Sequence, residues 1–284
     1  LSVRLLDPKP GERILDLCAA PGNKTAQIAT ALGNRGTVLA NDINSGRLAP
    51  LHAAISRLGL VNVTTTGWNG TVYPAPDGYF DKVLADVPCS GEGTIRKIHG
   101  KHRPVPDKFR QWLTGTQRGL LRRAIDLCRP GGRIVYSTCT FAPEENEAIV
   151  DLILRERPDD VRIIDQTING LPTSPGLQTW QDVSFHPDVA NAHRLWPHVA
   201  NTGGFFAILL ERTGGPQPPV APVATVLQAE PGDPLLKDFS DHFGLPENAF
   251  AGQIVVHGGT RLKLLADDHA RPEAPPPIVS GLTL

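Results

Sequence analysis

A buried strand that stops at a proline is the feature that most constrains this fold. Within residues 81–94, the apolar run 83–85 predicts a central parallel strand. Pro88 ends that strand, because proline has no N–H to give to a neighbouring strand. Asp86 and Cys89 flank the proline, ahead of a glycine-containing loop. Ligands of open α/β sheets bind at the carboxyl ends of the strands, so we expect both side chains to face a ligand.

A second strand repeats this pattern further along the chain. Residues 133–138 predict an apolar strand that ends in a polar run containing Cys139. A single cysteine is most often a buried packing residue. Two cysteines, each at the end of a predicted strand and beside a turn, indicate thiol chemistry instead.

Short apolar strands alternate with helical patterns over most of the chain. Besides the strand that begins at residue 82, the predicted strands cover residues 14–17, 36–42, 61–66, 133–138, 161–164 and 205–210. The predicted helices cover residues 25–32, 46–58, 107–128 and 143–157, the last with acids that suit a helix N-terminus. This alternation predicts a mostly parallel α/β sheet with right-handed crossovers.

The first strand leads into a loop of small residues, 19–22, and then into a helix. The loop lacks the GxGxxG spacing that lets a diphosphate approach a helix N-terminus. It favours a ligand with a nucleoside but no diphosphate, although an ordinary turn without a ligand would look the same. Asp42 ends the second strand, about 20 residues after Gly22, where an acid can reach ribose hydroxyls. A lone acid after a strand is more often a helix cap.

The composition of the 284 residues fits one large domain and a small appendage. No run of 18 apolar residues occurs, so we expect no membrane span. The four cysteines have no CxxC spacing, so we expect no zinc site and a reducing, intracellular setting: the cytoplasm or, in a eukaryote, the nucleus or nucleolus. The net charge of −1 neither indicates nor excludes a nucleic-acid partner.

Two stretches rich in Pro and Gly divide the chain. Residues 165–204 are an insertion whose three histidines match no usual metal spacing, and we expect the insertion to pack near the strand ends. Residues 213–230 predict a linker between a domain at 1–212 and a small, incomplete α+β module at 231–284. We expect a helix and a hairpin in this module, and a disordered tail after Arg271.

Five motifs in order resemble the Sun-domain (RsmB-like) family of RNA 5-methylcytosine methyltransferases, which use S-adenosylmethionine. They are LDLCAAPGNKT, ANDIN, DVPCSGEGT, GGRIVYSTCT and NTGGFF, and the resemblance covers residues 3–212. Two of them, DVPCSGEGTIRK and NTGGFF, look closest to the tRNA-modifying branch. The resemblance implies a seven-stranded, mostly parallel Rossmann-like methyltransferase sheet with helices on both faces. It also implies S-adenosylmethionine as cofactor, S-adenosylhomocysteine as product, and tRNA as substrate.

By position, the resemblance also implies site residues. The implied cofactor loop consists of Cys18, Ala19, Ala20, Pro21, Gly22, Asn23 and Lys24. Asp42 is implied as the ribose ligand, Asp86 and Cys89 as a catalytic pair beside the cofactor, and Cys139 as the covalent nucleophile. Where the tRNA branch usually has an acid that meets the adenine, this chain has Asn69, whose carbonyl can still accept a hydrogen bond.

The implied reaction explains why two thiols are needed. Carbon 5 of cytosine is a poor nucleophile until a thiolate attacks carbon 6, and a base must later remove the carbon 5 proton. Asp86, with a raised pKa, would assist by hydrogen bonding to ring nitrogen 3. Neighbouring strands lie about 5 Å apart, so Cys89 and Cys139 would face one another across one base. Spacing leaves open which thiol attacks; the resemblance assigns the attack to Cys139 and the release to Cys89.

A basic segment follows the first cysteine loop. Residues 96–110 contain six Lys or Arg and one acid, and we expect phosphate contacts from Arg96, Lys97, Lys101 and Arg103. Most charge runs are only solvated faces. The target cytosine would have to be flipped out or single-stranded.

Three other functions stay open: an RNA-binding scaffold with weak catalysis, an rRNA rather than a tRNA methyltransferase, and a small-molecule or DNA methyltransferase that attacks with Cys89. The STCT motif and the basic segment disfavour the last. We expect a monomer with no metal and no membrane partner.

Overall fold

The structure is a computed structural model that describes residues 1–96, 104–215, 228–229, 233–246, 248–258 and 261–284. Its helices are α1 (Ser2–Leu6), α2 (Asn23–Ala31), α3 (Ala49–Leu58), α4 (Asp107–Leu127), α5 (Glu147–Glu156), α6 (Pro197–Ala200) and α7 (Pro234–Phe243). Its strands are β1 (Arg13–Asp16), β2 (Thr37–Asn41), β3 (Val63–Thr66), β4 (Phe80–Asp86), β5 (Cys128–Thr138), β6 (Val161–Ile163), β7 (Ser174–Pro175), β8 (Thr179–Trp180), β9 (Val183–Ser184), β10 (His193–Leu195), β11 (Phe205–Arg212), β12 (Gln253–Gly258), β13 (Arg261–Ala266), β14 (Val279–Ser280) and β15 (Leu282–Thr283). None of the described helices is both long enough and apolar enough to cross a bilayer.

A mostly parallel sheet forms the centre of the molecule. Strands β3, β2, β1, β4 and β5 lie side by side and run parallel, and β11 joins β5 in the antiparallel direction. β6 pairs with β11 and completes seven strands, while the short β14, β10 and β7 extend the sheet. The predicted mostly parallel α/β sheet is confirmed, and so is the predicted adjacency of β1, β4 and β5.

Alternate residues of the central strands feed two separate cores. Leu15 of β1 and Val83 of β4 pack with α4 and α5 on one face of the sheet. Ile14 and Leu84, each one residue away, pack with α1, α2 and α3 on the other face. Successive side chains of a strand point to opposite faces. Helices therefore cover both faces, and the central strands are continuous apolar runs.

The C-terminal tail is ordered, so the prediction of disorder after Arg271 is wrong. β14 adds to the edge strand β3 in the antiparallel direction, and β15 pairs with β13. An uncovered β3 would present unpaired N–H and C=O groups, which the tail satisfies; the N–H of Ile278 donates to the Thr65 carbonyl at 2.8 Å. The predicted helix and hairpin are α7 and the β12–β13 pair. Most of the 213–230 linker lies outside the described residues, so the division into domains stays a prediction.

Candidate active site

The carboxyl end of β4 holds an acid between two donors. Asp86 ends this strand and lies in register with Ser137 of β5. The Ser137 hydroxyl donates to Asp86 Oδ1 at 2.6 Å, and Lys24 Nζ, from the first turn of α2, lies 2.6 Å from Asp86 Oδ2. Both carboxylate oxygens therefore accept a hydrogen bond. The Lys24 ammonium also lies 5.3 Å from the centre of the Phe205 ring, within cation–π range.

Two free thiols meet beside this acid. Cys89 Sγ and Cys139 Sγ are 3.4 Å apart, and the backbone N–H of Cys139 also donates to Cys89 Sγ at 3.3 Å. Both side chains are partly buried. Pro88 and Thr138 immediately precede the two cysteines, so the ends of β4 and β5 bring the thiols together.

The contact between the thiols gives them unequal acidity. The pKa of Cys139 is lowered because Cys89 donates a hydrogen bond to it; Lys24 acts in the same direction, while burial and Asp86 oppose the shift. The same hydrogen bond, together with burial, raises the pKa of Cys89. The thiolate is the reactive form of cysteine, so this direction favours Cys139 as the nucleophile, which stays a prediction.

Close backbone contacts between glycines hold Cys139 in place. The N–H of Gly93 donates to the Cys139 carbonyl at 2.8 Å, and the N–H of Gly204 donates to the Gly93 carbonyl at 2.8 Å. A Cβ on Gly93 would collide with the Gly204 carbonyl, and a Cβ on Gly204 would collide with the Phe141 ring. The glycines of the DVPCSGEGT and NTGGFF motifs thus let three chain segments approach one another.

A buried carboxylate ties the first cysteine loop to α4. Glu145 is fully buried and accepts from the Ser90 N–H and from Gln117 Nε2, both at 2.9 Å. Arg110 Nη1 donates to Glu145 at 2.8 Å, and Arg110 Nη2 donates to Glu92 at 2.9 Å. The sequence predicted acids here only as partners of a helix N-terminus. Glu145 instead crosslinks the segments that carry the thiols.

A cavity of about 460 Å³ opens at the ends of β1, β2 and β4. Its lining includes Leu17, Cys18, Ala20, Asp42, Ile43, Arg47, Asn69, Gly70, Asp86, Cys89, Thr116, Leu120 and Cys139. Asp42 accepts from the N–H of Ala20 at 3.1 Å and from the N–H of Asn44 at 2.9 Å. Burial raises the pKa of Cys18, which keeps this thiol protonated.

Asn69 lines the same cavity, but its carbonyl oxygen is already bonded within the chain. Asn69 Oδ1 accepts from the N–H and from the hydroxyl of Thr71, at 3.1 and 3.0 Å. An amide oxygen has two lone pairs, and Thr71 uses both. A ligand would therefore meet the Asn69 amide as a donor, which corrects the expectation that its carbonyl accepts.

Asp16 is a site residue that the sequence prediction missed. It ends β1 and is fully buried; Thr25 Oγ1 donates to its Oδ2 at 2.7 Å, while Oδ1 has no hydrogen-bond partner among the described residues. A cavity of about 60 Å³ adjoins it, and its lining also includes Asn23, Lys24 and Asp86. A buried oxygen without a partner is costly, so a cationic or N–H group in this space would be stabilised. The available signal was an acid at the end of β1, just before the small-residue loop.

Burial raises the pKa of Asp16 to about 7. A carboxyl group whose pKa is higher in the folded than in the unfolded state binds extra protons when folded, so stability is lost as the pH rises from about 4 to 7. We expect Asp16→Asn to remove this loss and to stabilise the ligand-free protein by up to about 4 kcal/mol at pH 8. Thermal unfolding of the wild type and of Asp16→Asn between pH 4 and 8 measures this difference in stability. Parallel pH profiles would contradict the assignment.

Comparisons with known proteins place this site in a family. The profile of the family described as 16S rRNA methyltransferase RsmB/F matches residues 3–211. The chain belongs to the RsmB/F family. It is 37% identical over 244 residues to the 28S rRNA (cytosine-C(5))-methyltransferase of Mus musculus. It is 36% identical over 231 residues to the ribosomal RNA small subunit methyltransferase F of Erwinia tasmaniensis.

These RsmB/F matches cover 84% and 77% of this chain but 30% and 46% of the two relatives, so the chain spans less than half of either. The crystal structure of NSun6 from Pyrococcus horikoshii with SFG is similar, with a TM-score of 0.64 and 32% identity. That similarity covers 75% of this chain and 51% of the other.

A second cavity in this RsmB/F-family chain, of about 610 Å³, shares Asp86 and Cys139 with the first. Its lining also includes Pro21, Asn23, Lys24, Arg96, Gly204 and Phe205. Arg96 Nη1 donates to Asn201 Oδ1 at 3.0 Å. Lys97, Lys101 and Arg103 lie outside the described residues.

The other residues of the predicted cofactor loop do not all line a cavity. Ala19 lines the cavity of about 60 Å³, whereas Gly22 directly precedes α2 in a left-handed conformation with φ 109°. A Cβ on Gly22 would collide with Leu51, so glycine is needed there for space. Among the described residues, no cluster of three or more His, Cys, Asp or Glu is placed to hold a metal ion.

Proposed function

We propose that this RsmB/F-family protein transfers a methyl group from S-adenosylmethionine to carbon 5 of cytosine in RNA, through a covalent bond between Cys139 and the base. One observation supports this most: Asp86 and Cys139 form a wall common to cavities of about 460 and 610 Å³. A methyl donor in the first cavity and a base in the second would approach the same thiol.

The residues of the first cavity fit this cofactor. Asp42, at the end of β2, would hold the ribose hydroxyls, and the Asn69 amide would meet the adenine edge. Asp16 Oδ1, which has no hydrogen-bond partner in the described part of the chain, would accept from the ammonium group of the methionine part. The cofactor supplies a methyl group on a sulfonium, and these side chains bind and orient it.

The Cys139 thiolate begins the reaction by attacking carbon 6. Its electron pair forms the carbon–sulfur bond, and the ring electrons move towards carbon 5, which then takes the methyl group. Negative charge develops at ring nitrogen 3 during the attack. Asp86 was expected to assist at this nitrogen, but its two oxygens already accept from Lys24 and Ser137. The Lys24 ammonium, held 2.6 Å from Asp86, can instead donate a hydrogen bond there, or a proton that returns to Lys24 when the ring double bond is restored.

Cys89 then changes from a hydrogen-bond donor to a base, because Cys139 is now bonded to carbon 6. Its pKa is raised first of all by the hydrogen bond that it donates to Cys139. Once Cys139 is bonded to carbon 6, that negative acceptor is gone, so the Cys89 thiol releases its proton to solvent more easily. The Cys89 thiolate then takes the carbon 5 proton, the C–H electron pair restores the ring double bond, and Cys139 leaves.

The kind of RNA is the finer part of the proposal. The DVPCSGEGTIRK and NTGGFF motifs favour tRNA, which is the first candidate. The mouse and Erwinia relatives are named as rRNA methyltransferases, which makes rRNA the second candidate.

A methyl-transfer assay tests the proposal. The chain would be incubated with S-adenosylmethionine carrying a labelled methyl group and, separately, with tRNA, rRNA or DNA that lacks 5-methylcytosine. Label recovered as 5-methylcytidine supports the proposal and identifies the RNA. Label in DNA alone would contradict it. Binding of RNA without cofactor binding or transfer would favour the scaffold alternative.

Reversing two basic residues tests the RNA path. We expect Arg96→Glu with Lys97→Glu to weaken tRNA binding and to flatten its salt dependence, by about one unit of slope for each phosphate that is no longer neutralised. Arg96 lines the second cavity. Filter binding over a salt series measures the effect, and Arg162→Glu with Lys237→Glu makes the same charge change elsewhere. Unchanged tRNA binding at every salt concentration would show that Arg96 and Lys97 do not contact the RNA.

A further inference from the structure

One face of α4 runs from the first cavity out to the surface. Thr116 and Leu120 of this helix line the cavity. Phe109 and Trp112 lie on the same face, seven and four positions before Thr116, because residues at these spacings stack along a helix. Their side chains are 46% and 60% exposed. The cavity wall therefore continues as an open aromatic surface.

The two rings form one flat surface. Their centroids are 5.7 Å apart and their planes differ by 19°, so they are stacked. Three more exposed apolar side chains line this cavity or adjoin its lining: Ile43, Trp68 and Val72. Exposed apolar surface that is contiguous with a cavity indicates a binding site rather than chance exposure.

The charges around these rings indicate a polyanionic ligand. Lys108 directly precedes Phe109, and both rings lie at the end of the basic segment 96–110, whereas Arg110 is engaged by Glu92 and Glu145. Aromatic side chains among basic ones are the usual surface for single-stranded nucleic acid, because the rings stack on bases while the cations meet phosphates. An apolar peptide has no negative charge to complement the basic residues.

We propose that Phe109 and Trp112 form a stacking platform for an unpaired base that neighbours the target cytosine. The proposal rests on the function proposed above. A cytosine that leaves its stack deprives the adjacent base of a stacking partner. The first cavity, which the aromatic surface adjoins, is also lined by Cys89 and Cys139, so a base that reaches these thiols from the second cavity can have its neighbour on the rings. The platform acts on RNA affinity and register, whereas the thiols act on the chemistry.

Binding of a fluorescently labelled 12-nucleotide RNA, uridines around one central cytidine, tests the platform on the 284-residue chain. We expect Trp112→Ala to weaken binding by roughly 5- to 100-fold, with an unchanged salt slope because stacking involves no ion release. Trp112→Phe, which still stacks, should restore most of the affinity. The matched control is Phe243→Ala, which removes a ring of similar exposure, 59%, from α7.

An abasic nucleotide identifies the stacked position. Placed on either side of the cytidine in turn, it should weaken binding to the wild type at one position and have no further effect on Trp112→Ala. Equal RNA affinity of Trp112→Ala and the wild type, with methyl transfer intact, would overturn the platform and leave the proposed function standing. A wild-type chain that neither binds nor methylates any RNA would overturn both.

Discussion

Cys89→Ala protein purified from cells should carry a covalently attached RNA. It should migrate slowly on a denaturing gel, and the slow band should disappear after RNase treatment. This variant keeps the Cys139 nucleophile, so the bond to carbon 6 still forms, but no thiolate remains to take the carbon 5 proton. Cys139→Ala should show no such band, and its methyl transfer should fall by roughly 10³-fold or more because the attacking atom is gone.

The same gel distinguishes a catalytic role of Cys89 and Cys139 from a role in packing alone. Cys128→Ala is the matched control, because Cys128 is a fully buried thiol at the start of β5, and it should neither trap RNA nor lose activity. A band found only in Cys139→Ala would exchange the roles of the two thiols. If neither variant traps RNA and the wild type transfers no methyl group, the scaffold alternative takes the place of the proposed function.

Glu145→Ala should lose both stability and turnover. The change leaves the Ser90 N–H and one arm of Arg110 without their acceptor, and Gln117 Nε2 keeps only the Pro88 carbonyl. Breaking a buried ion pair on one side costs about 3 kcal/mol, which lowers the melting temperature by roughly 6–12 °C in a chain of this size. Below that temperature we expect kcat to fall, because the cysteine loop is no longer fixed to α4. Affinity for S-adenosylmethionine should change little, because Asp16 and Asp42 lie on β1 and after β2.

The control for Glu145 is the neighbouring buried acid. Glu147 is also fully buried and pairs with Arg194, but its other bond goes to Leu177 rather than to the first cysteine loop. Glu147→Ala should therefore lose a similar amount of stability while more of the kcat is kept. If both variants turned over at the same rate when folded, the Glu145 network would serve stability alone.

The central strands and their ends could be predicted because local sequence determines them. Continuous apolar runs that stop at Pro88 or at a polar turn define β4 and β5. The crossover rules then bring Asp86, Cys89 and Cys139 to one edge of the sheet. The position of Asp42 after β2 follows from the same rules.

The features that were missed depend on contacts between distant residues. That Asp16 Oδ1 is buried and lacks a hydrogen-bond partner among the residues that the structure describes becomes visible only when the whole loop is in place. Glu145 follows a proline in a run of acids, a pattern that equally suits a helix N-terminus. The tail near Ile278 lacks a strong strand pattern and is ordered by pairing with the open edge of β3.

The glycine contacts around Cys139 have a consequence for folding. Cys89 meets Cys139 where β4 pairs with β5, and Gly204, which contacts Gly93, directly precedes β11. Contacts between such distant parts of a chain form slowly, because the intervening loop must first close. A partly folded chain therefore holds two ordinary thiols, and their unequal reactivity arises with the native sheet. The proposed nucleophile would therefore acquire its lowered pKa only in the native protein.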